Sequence, residues 1–566
     1  MRLTVVTSVL LVCSCAMLEP SLSAQGSDDV GGHRRSVVYA RHGMVAASHP
    51  LAVEIGLQVL RDGGTAVDAA IATNAALGVL EPHACGIGGD LFALVWDAKE
   101  GRLHGLNASG PAPARATLNA IDREDGRIPL HGAHSWTVPG TVDGWATLHA
   151  RFGKLPWKRL FEPSIRSARE GEPVPRVIAQ YWKDESPRHE KTPGFKEVFW
   201  PEGRPVREGE IFRNERLAET YQQIAAGGRN AFYDGPIAKA IVAFSNANGG
   251  LLGREDLRSF RSQWVEPITT SYRGVDVYQL PPNGQGLAAL QMLNILETFD
   301  IAGMERDSVE LWHLMIEAKK LAFEDRARHY ADPAFADVPV EALLDKEYAR
   351  SRAALIDPKR ASATFDAGDV RLDHGDTTYL SVVDREGNMV SLIQSVFWEF
   401  GSGFTVAGFN LQNRGSQFSL DPDSPNVLAP GKRPFHTIIP AFAMQDGKPW
   451  LSFGLMGGSM QPQGHAQVLI NLIDFGMDLQ QAGDAPRFRH SGSSQPNGSQ
   501  MIDGGLVRLE AIVPESVRRG LEALGHRTKI YGSASFGGYQ AIARDPNTGV
   551  LSGATESRKD GLALGY

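Results

Sequence analysis

Thr377 heads a run rich in β-branched residues, Thr377 to Val383, and a second such run extends from Met389 to Val396. Asp384-Arg-Glu-Gly-Asn388 between them has the composition of a turn, so the pattern predicts a β-hairpin. Ahead of it, Asp357 to Asp376 holds Pro, Gly, Asp and Arg with few apolar residues, which reads as a mobile linker. Scission of the Asp376–Thr377 bond would leave Thr377 with a hydroxyl and a free α-amine on one residue. Such an amine has a pKa of about 7.7, so near neutral pH it can act as a base toward its own hydroxyl. That is the threonine form of an activated nucleophile. Taken alone, Thr-Thr at the head of a strand is equally ordinary β-propensity.

The elements that would position such a group alternate along the chain. Gly43 to Ser48 reads as a strand, followed by a helix entered at Pro50 and stopped at Gly63-Gly64. Ala66 to Leu80 predicts an alanine-rich helix suited to close packing on a sheet, and Leu91 to Trp96 a buried strand. Cys85-Gly-Ile-Gly-Gly-Asp90 precedes a strand rather than joining strand to helix, so it reads as a tight turn and not a dinucleotide loop. Further helices are expected at Leu155 to Gly171, Leu217 to Ala226, Gly235 to Asn248, from Leu287 and at Val309 to Tyr330, with Glu185 to Glu208 a polar surface excursion. His313, Glu317, Glu324 and His329 on the long helix lack a metal-binding spacing and read as a solvated face. Strand patterns recur at Val275 to Leu280, Phe404 to Gln412, Ile438 to Met444, Trp450 to Phe453 and Tyr539 to Arg544. A helix is opened by Gly457-Gly458, and another covers Val513 to Leu524. Strands with helices before and after them suit an α/β class fold, a layered α/β/β/α sandwich.

The chain of 566 residues has 42% hydrophobic and 22% charged residues and a net charge of −8, the composition of an ordinary globular protein. That charge gives no electrostatic footprint for nucleic acid. Met1-Arg2, the apolar run Leu3 to Leu18 and Ser21-Leu-Ser-Ala24 read as a secretory signal, so residues 1–24 are expected to be removed and the protein exported, periplasmic or secreted. Val12-Cys-Ser-Cys15 also resembles a lipoprotein signal, with Cys15 as the alternative anchor. No later segment reaches the ~20 apolar residues of a membrane span. Beyond the leader only Cys85 remains, which permits no internal disulfide and suits a small buried hydrophobe.

Many short motifs, in one order, resemble the γ-glutamyltransferase (glutathione hydrolase) family of N-terminal-nucleophile hydrolases. They include Gly43-Met-Val-Ala-Ala, Gly63-Gly-Thr-Ala-Val-Asp-Ala-Ala70, Gly86-Ile-Gly-Gly-Asp-Leu-Phe92, Val138-Pro-Gly-Thr-Val142, Asp376-Thr-Thr, Lys432-Arg-Pro434, Met456-Gly-Gly-Ser459 and Ala485-Pro-Arg487. The resemblance implies a four-layer sandwich and a precursor that cuts itself at Asp376–Thr377. The products would be a large subunit, residues 25–376, and a small one, residues 377–566, held as one folded unit. It implies Thr377 as nucleophile, Ser395 as a second hydroxyl eighteen residues on, and Gly457 and Gly458 as the oxyanion hole. Their N–H groups at a helix N-terminus suit developing negative charge, although a Gly-Gly pair by itself more often marks a φ > 0 loop. The implied substrate is a small amide or peptide such as glutathione, with water or an amine as acceptor. No metal or organic cofactor is implied.

Glutamyl recognition departs from the family pattern. Ser109 stands where an arginine holds the α-carboxylate, Phe397 and Gln417 where an asparagine and an aspartate hold the α-ammonium, and His436-Thr437 where a serine pair is expected. Arg414 and His436 are gained, with Arg433 nearby, and an arginine fork favours a carboxylate. An acyl group with a distal carboxylate and no α-amine, as in glutaryl amides and cephalosporin-acylase-type relatives, is therefore the alternative. A structural salt bridge for Arg414 and a satisfied buried histidine for His436 are the plainer readings. A binding protein that kept the fold and lost turnover is the rival from another class. A serine hydrolase is disfavoured, since no Gly-x-Ser-x-Gly occurs.

Overall fold

The computed structural model describes residues 35–365 and 377–566. The leader, Cys15 and Asp376 therefore lie outside the described residues. Two seven-stranded sheets form its centre. In the first the order is Leu562–Gly565, Met44–Ala47, Thr378–Val383, Met389–Ser395, Asp90–Asp97, Arg102–Ala108 and Gln263–Val265. In the second it is Val38–Ala40, Leu551–Thr555, Tyr539–Arg544, Lys448–Leu455, Ala441–Gln445, Val275–Gln279 and Ile268–Tyr272.

Strand alternation assigns the layers. Tyr379 and Val383 join Phe442, Met444 and Ile542 in a core between the two sheets. Leu380 and Val382, on the opposite face of the same strand, pack with the helices Pro50–Arg61 and Ala66–Leu80. Ala441 and Ala443 turn the other way, toward helices Gly286–Leu296, Val309–His329 and Met460–Ile473. The result is helices, sheet, sheet, helices. Hydroxyl contacts stitch the sheets together: Tyr379 Oη lies 3.4 Å from Ser452 Oγ, and Ser381 Oγ donates to Ser452 Oγ at 2.7 Å. At Gly454 the sheets approach so closely that a Cβ would stand 2.4 Å from the Tyr379 ring.

Helix Ala66–Leu80 is buried along its whole length, and a capping box between Thr65 and Asp68 starts it. Phe404 to Gln412 forms a small hairpin of two-residue strands, Thr405–Val406 and Phe409–Asn410. Three expectations fail. Glu185 to Glu208 is no surface excursion, because Phe195, Phe199 and Trp200 gather with Trp182 and Phe400 into a separate apolar cluster. Prolines interrupt the segment, so its aromatics follow no period that a strand or helix would reveal. The face carrying His313, Glu317 and Glu324 is buried, not solvated, while His329 is half-buried. A three-stranded sheet (Phe488–Ser491, Leu506–Glu510, Thr528–Tyr531) and helix Glu515–Ala523 lie beside that helix. The first part of the expected linker is tied down: Ala361 N donates to Leu524 O at 2.7 Å, and Gly504 N to Ala363 O at 2.6 Å.

Candidate active site

The hairpin places Thr377. Thr378–Val383 pairs antiparallel with Met389–Ser395, with Thr378 opposite Gln394. One step outward, the same register sets Thr377 opposite Ser395. The turn is locked by Asp384, whose carboxylate accepts from Asn388 N at 2.9 Å, Asn388 Nδ2 at 2.8 Å and Ala66 N at 2.9 Å. Both hydroxyl residues are buried. Thr377 Oγ1 lies 3.4 Å from Ser395 Oγ and 3.5 Å from Gln461 Nε2, and Ser395 Oγ accepts from Phe397 N at 2.7 Å.

Gly457 and Gly458 follow strand Lys448–Leu455 and lead into helix Met460–Ile473. Their φ angles of 113° and 58° lie in the region that favours glycine. Gln285 pins this turn to the opposite wall: its Nε2 donates to Gly458 O at 2.9 Å and to Thr437 O at 2.6 Å. Buried Arg326 in turn holds Gln285 Oε1 at 2.6 Å.

Arg414 is fully buried in a short 3-10 helix, Arg414–Gln417. It donates to Thr437 Oγ1 at 2.8 Å and reaches Ser395 Oγ at 3.4 Å, with its guanidinium 4.2 Å from the centre of the Phe397 ring. Burial pulls its pKa down to about 9. The acid that opposes this shift is Asp90, which burial pushes up to about 7 against hydrogen bonds from Gln412, Gly110 and Gly140 and the charge of Arg414. His436 Nε2 meets Asp90 Oδ2 at 3.1 Å, and its Nδ1 accepts from Ile438 N at 3.3 Å. That arrangement calls for a neutral imidazole protonated at Nε2, and burial holds the His436 pKa well below its usual value.

A cavity of about 460 Å³ lies against this group, walled by Phe397, Trp398, Gln417, Thr437, Gly458, Arg127 and others. Of the residues expected to bind substrate, Gln417 and Thr437 reach its wall. Arg414 sits one side chain behind, and Ser109 and His436 are enclosed in the core. Ser109 Oγ donates to Asn107 Oδ1 at 2.7 Å, and Arg433 Nε to Ser109 O at 3.0 Å. Among the described residues, His313, Glu317 and His526 place three metal-competent atoms near one another, although Lys320 already pairs with Glu317 at 2.7 Å.

The model for the γ-glutamyltranspeptidase family matches residues 52–566. The chain belongs to that family. A crystal structure of a cephalosporin acylase from Bacillus halodurans superposes with a TM-score of 0.88 at 43% identity, covering 97% of this chain and 99% of that one. A glutathione hydrolase-like proenzyme of Bacillus subtilis, YwrD, is 37% identical over 92% of this chain and 98% of its own length. An oxamate amidohydrolase proenzyme of Klebsiella pneumoniae is 37% identical over 93% and 98%. The fold is therefore the N-terminal-nucleophile hydrolase fold of the γ-glutamyltranspeptidases and acylases. Within this family member, sequence reasoning overlooked Gln461, Arg127 and the burial of Asp90. Gln461 had a signal: it falls four residues after Gly457, in the first turn of the helix that the glycine pair opens.

Proposed function

We propose that the protein is a self-processing amidohydrolase that uses Thr377 to cleave, and with an amine acceptor to transfer, γ-glutamyl or related acyl groups. The observation that carries this is the Thr377–Ser395 hydroxyl pair, which Gln461 links to the turn at Gly458, with Gly458 on the wall of a cavity of substrate size. After scission at Asp376–Thr377 the new α-amine takes the proton of Thr377 Oγ1, which attacks the amide carbonyl. The N–H groups of Gly457 and Gly458 hold the oxyanion, and the amine returns the proton to the leaving nitrogen. Water, activated by the same amine, then releases the acyl group as an acid. Ser395 orients the nucleophile.

The proenzyme names of its relatives support a precursor cut into two subunits that stay together. Export directed by residues 1–24, or anchoring at Cys15, belongs to the same proposal; no described helix is long and apolar enough to cross a membrane. The acylase and oxamate-hydrolase relatives, together with Arg414 and Phe397, favour an acyl group bearing a carboxylate without an α-amine over a strict glutathione preference. Thr377→Ala supplies the test. On a denaturing gel the wild type is expected as two pieces and the variant as one, with no turnover of acyl p-nitroanilides. A variant that still splits removes Thr377 as the nucleophile.

A further inference from the structure

Arg414 has a cation's full desolvation without a carboxylate partner to match it. Its hydrogen bonds go to two neutral hydroxyls, and its Nε has no hydrogen-bond partner among the described residues. The acid that influences it, Asp90, already serves Gly110, Gly140, Gln412 and His436. A buried charge so poorly matched is costly unless an anion completes it. Between the guanidinium and the cavity stand Thr437, which accepts from it, and Phe397, whose ring covers it; both wall the cavity. Phe397 holds φ +81°, a conformation rare for a bulky residue and typical of functional segments.

We propose that Arg414 is the carboxylate receptor of the acyl site, uncovered when the Phe397 ring swings aside, and that it selects monoamides of short dicarboxylic acids. The inference rests on Thr377 being the nucleophile. Two contacts of 3.4 Å in series put Arg414 no more than about 7 Å from Thr377 Oγ1. Attack needs the carbonyl carbon about 3 Å from the hydroxyl oxygen, and a charge-assisted bond sets the carboxylate about 2.8 Å from the guanidinium. The remaining gap suits a carboxylate on the carbonyl carbon itself or one carbon beyond, as in oxalyl and malonyl amides. A glutaryl chain would have to fold back to sit between the two points, which costs the torsional freedom of its extra bonds. The Phe397 side chain offers no hydrogen-bond acceptor in either position, so it gives an α-ammonium no partner.

The experiment compares kcat/KM of the cleaved protein on the mono-p-nitroanilides of oxalic, malonic, succinic and glutaric acids, each with one free carboxylate, and on the p-nitroanilide of propionic acid, which has none. The oxalyl or malonyl substrate is expected to lead, at least tenfold ahead of the glutaryl and propionyl ones. Arg414→Gln, checked for self-cleavage on a gel, should lower the ratio of acidic to neutral turnover by about ten- to a hundredfold. Phe397→Leu, which keeps Arg414 and thins its cover, should lower KM for the malonyl anilide by a larger factor than for the propionyl one. Wild-type protein that treats glutaryl or propionyl amides as well as the short acids overturns the inference without any variant. Turnover of neutral amides with no preference for charge or length overturns it alone, whereas a cleaved protein inert on every anilide overturns the Thr377 reading with it.

Discussion

Removal of one oxygen, Ser395→Ala, tests the site most directly. Ser395 Oγ is buried and accepts the Phe397 N–H at 2.7 Å, while Thr377 Oγ1 and Arg414 each approach it at 3.4 Å. Alanine takes away the acceptor of a buried N–H in a residue already at φ +81°. Leaving such a donor unsatisfied costs about 1–3 kcal/mol, which should lower the urea midpoint without changing its slope. The nucleophile loses the hydroxyl that orients it, and misplacement of a reacting group can cost about 10²-fold in rate. The expected phenotype is therefore a folded, slightly destabilised protein that matures slowly and turns over about a hundredfold less. Ser395→Thr keeps the hydroxyl and should recover most of both. Time-resolved denaturing gels give the maturation rate, and p-nitroanilide hydrolysis gives kcat. Ser395→Ala protein that matures and turns over within twofold of wild type would refute the assignment.

Gly457→Ala places a Cβ 3.2 Å from Gly537 Cα at φ +113°, so a loss of at least about 1 kcal/mol is expected. A displaced oxyanion donor should lower kcat about 10²–10³-fold, and an unchanged kcat would count against the glycine pair. Gly454→Ala drives a methyl into the Tyr379 ring between the sheets and should cost about 1–3 kcal/mol in urea unfolding with little effect on substrate affinity in the surviving native fraction. His49 caps helix Pro50–Arg61 by accepting from Leu51 N at 3.2 Å, and burial lowers its pKa to about 4. Between that value and the unfolded histidine near 6.5 the unfolded chain binds the extra proton, so stability falls as pH drops through this window. The loss reaches about 2 kcal/mol at pH 5. His49→Asn retains a capping oxygen and should remove that share of the acid sensitivity; identical urea midpoints for both proteins at pH 5, relative to pH 7.5, would refute it.

The hairpin, the glycine pair and the helices that begin at Pro50 and Ala66 were legible because each carries a local signature. Turn residues, a cap or a strict period define them without reference to the rest of the fold. What escaped were features set by long-range burial. For Arg414 and His436 the sequence offered a buried role beside a substrate-facing one, and which neighbours enclose them depends on Asp90, more than 300 positions away. The polar residues of helix Val309–His329 suggested a solvated face because nothing in their spacing reports that Phe488–Ser491 and Glu515–Ala523 return beside them. The aromatics between Trp182 and Phe212 likewise gather around Phe400, donated from beyond the hairpin.

Thr378–Val383 and Met389–Ser395 are interior strands, bordered by Met44–Ala47 on one side and Asp90–Asp97 on the other. A cut ahead of Thr377 would thus sever the polymer and leave the tertiary structure closed. The fragments could not drift apart on dilution as ordinary subunits do, because separating them means tearing two neighbouring strands from the middle of a sheet. Synthesised alone, the longer fragment would carry a two-strand gap in that sheet and a four-strand gap in the other. A protein cut in this way would have to assemble before the cut.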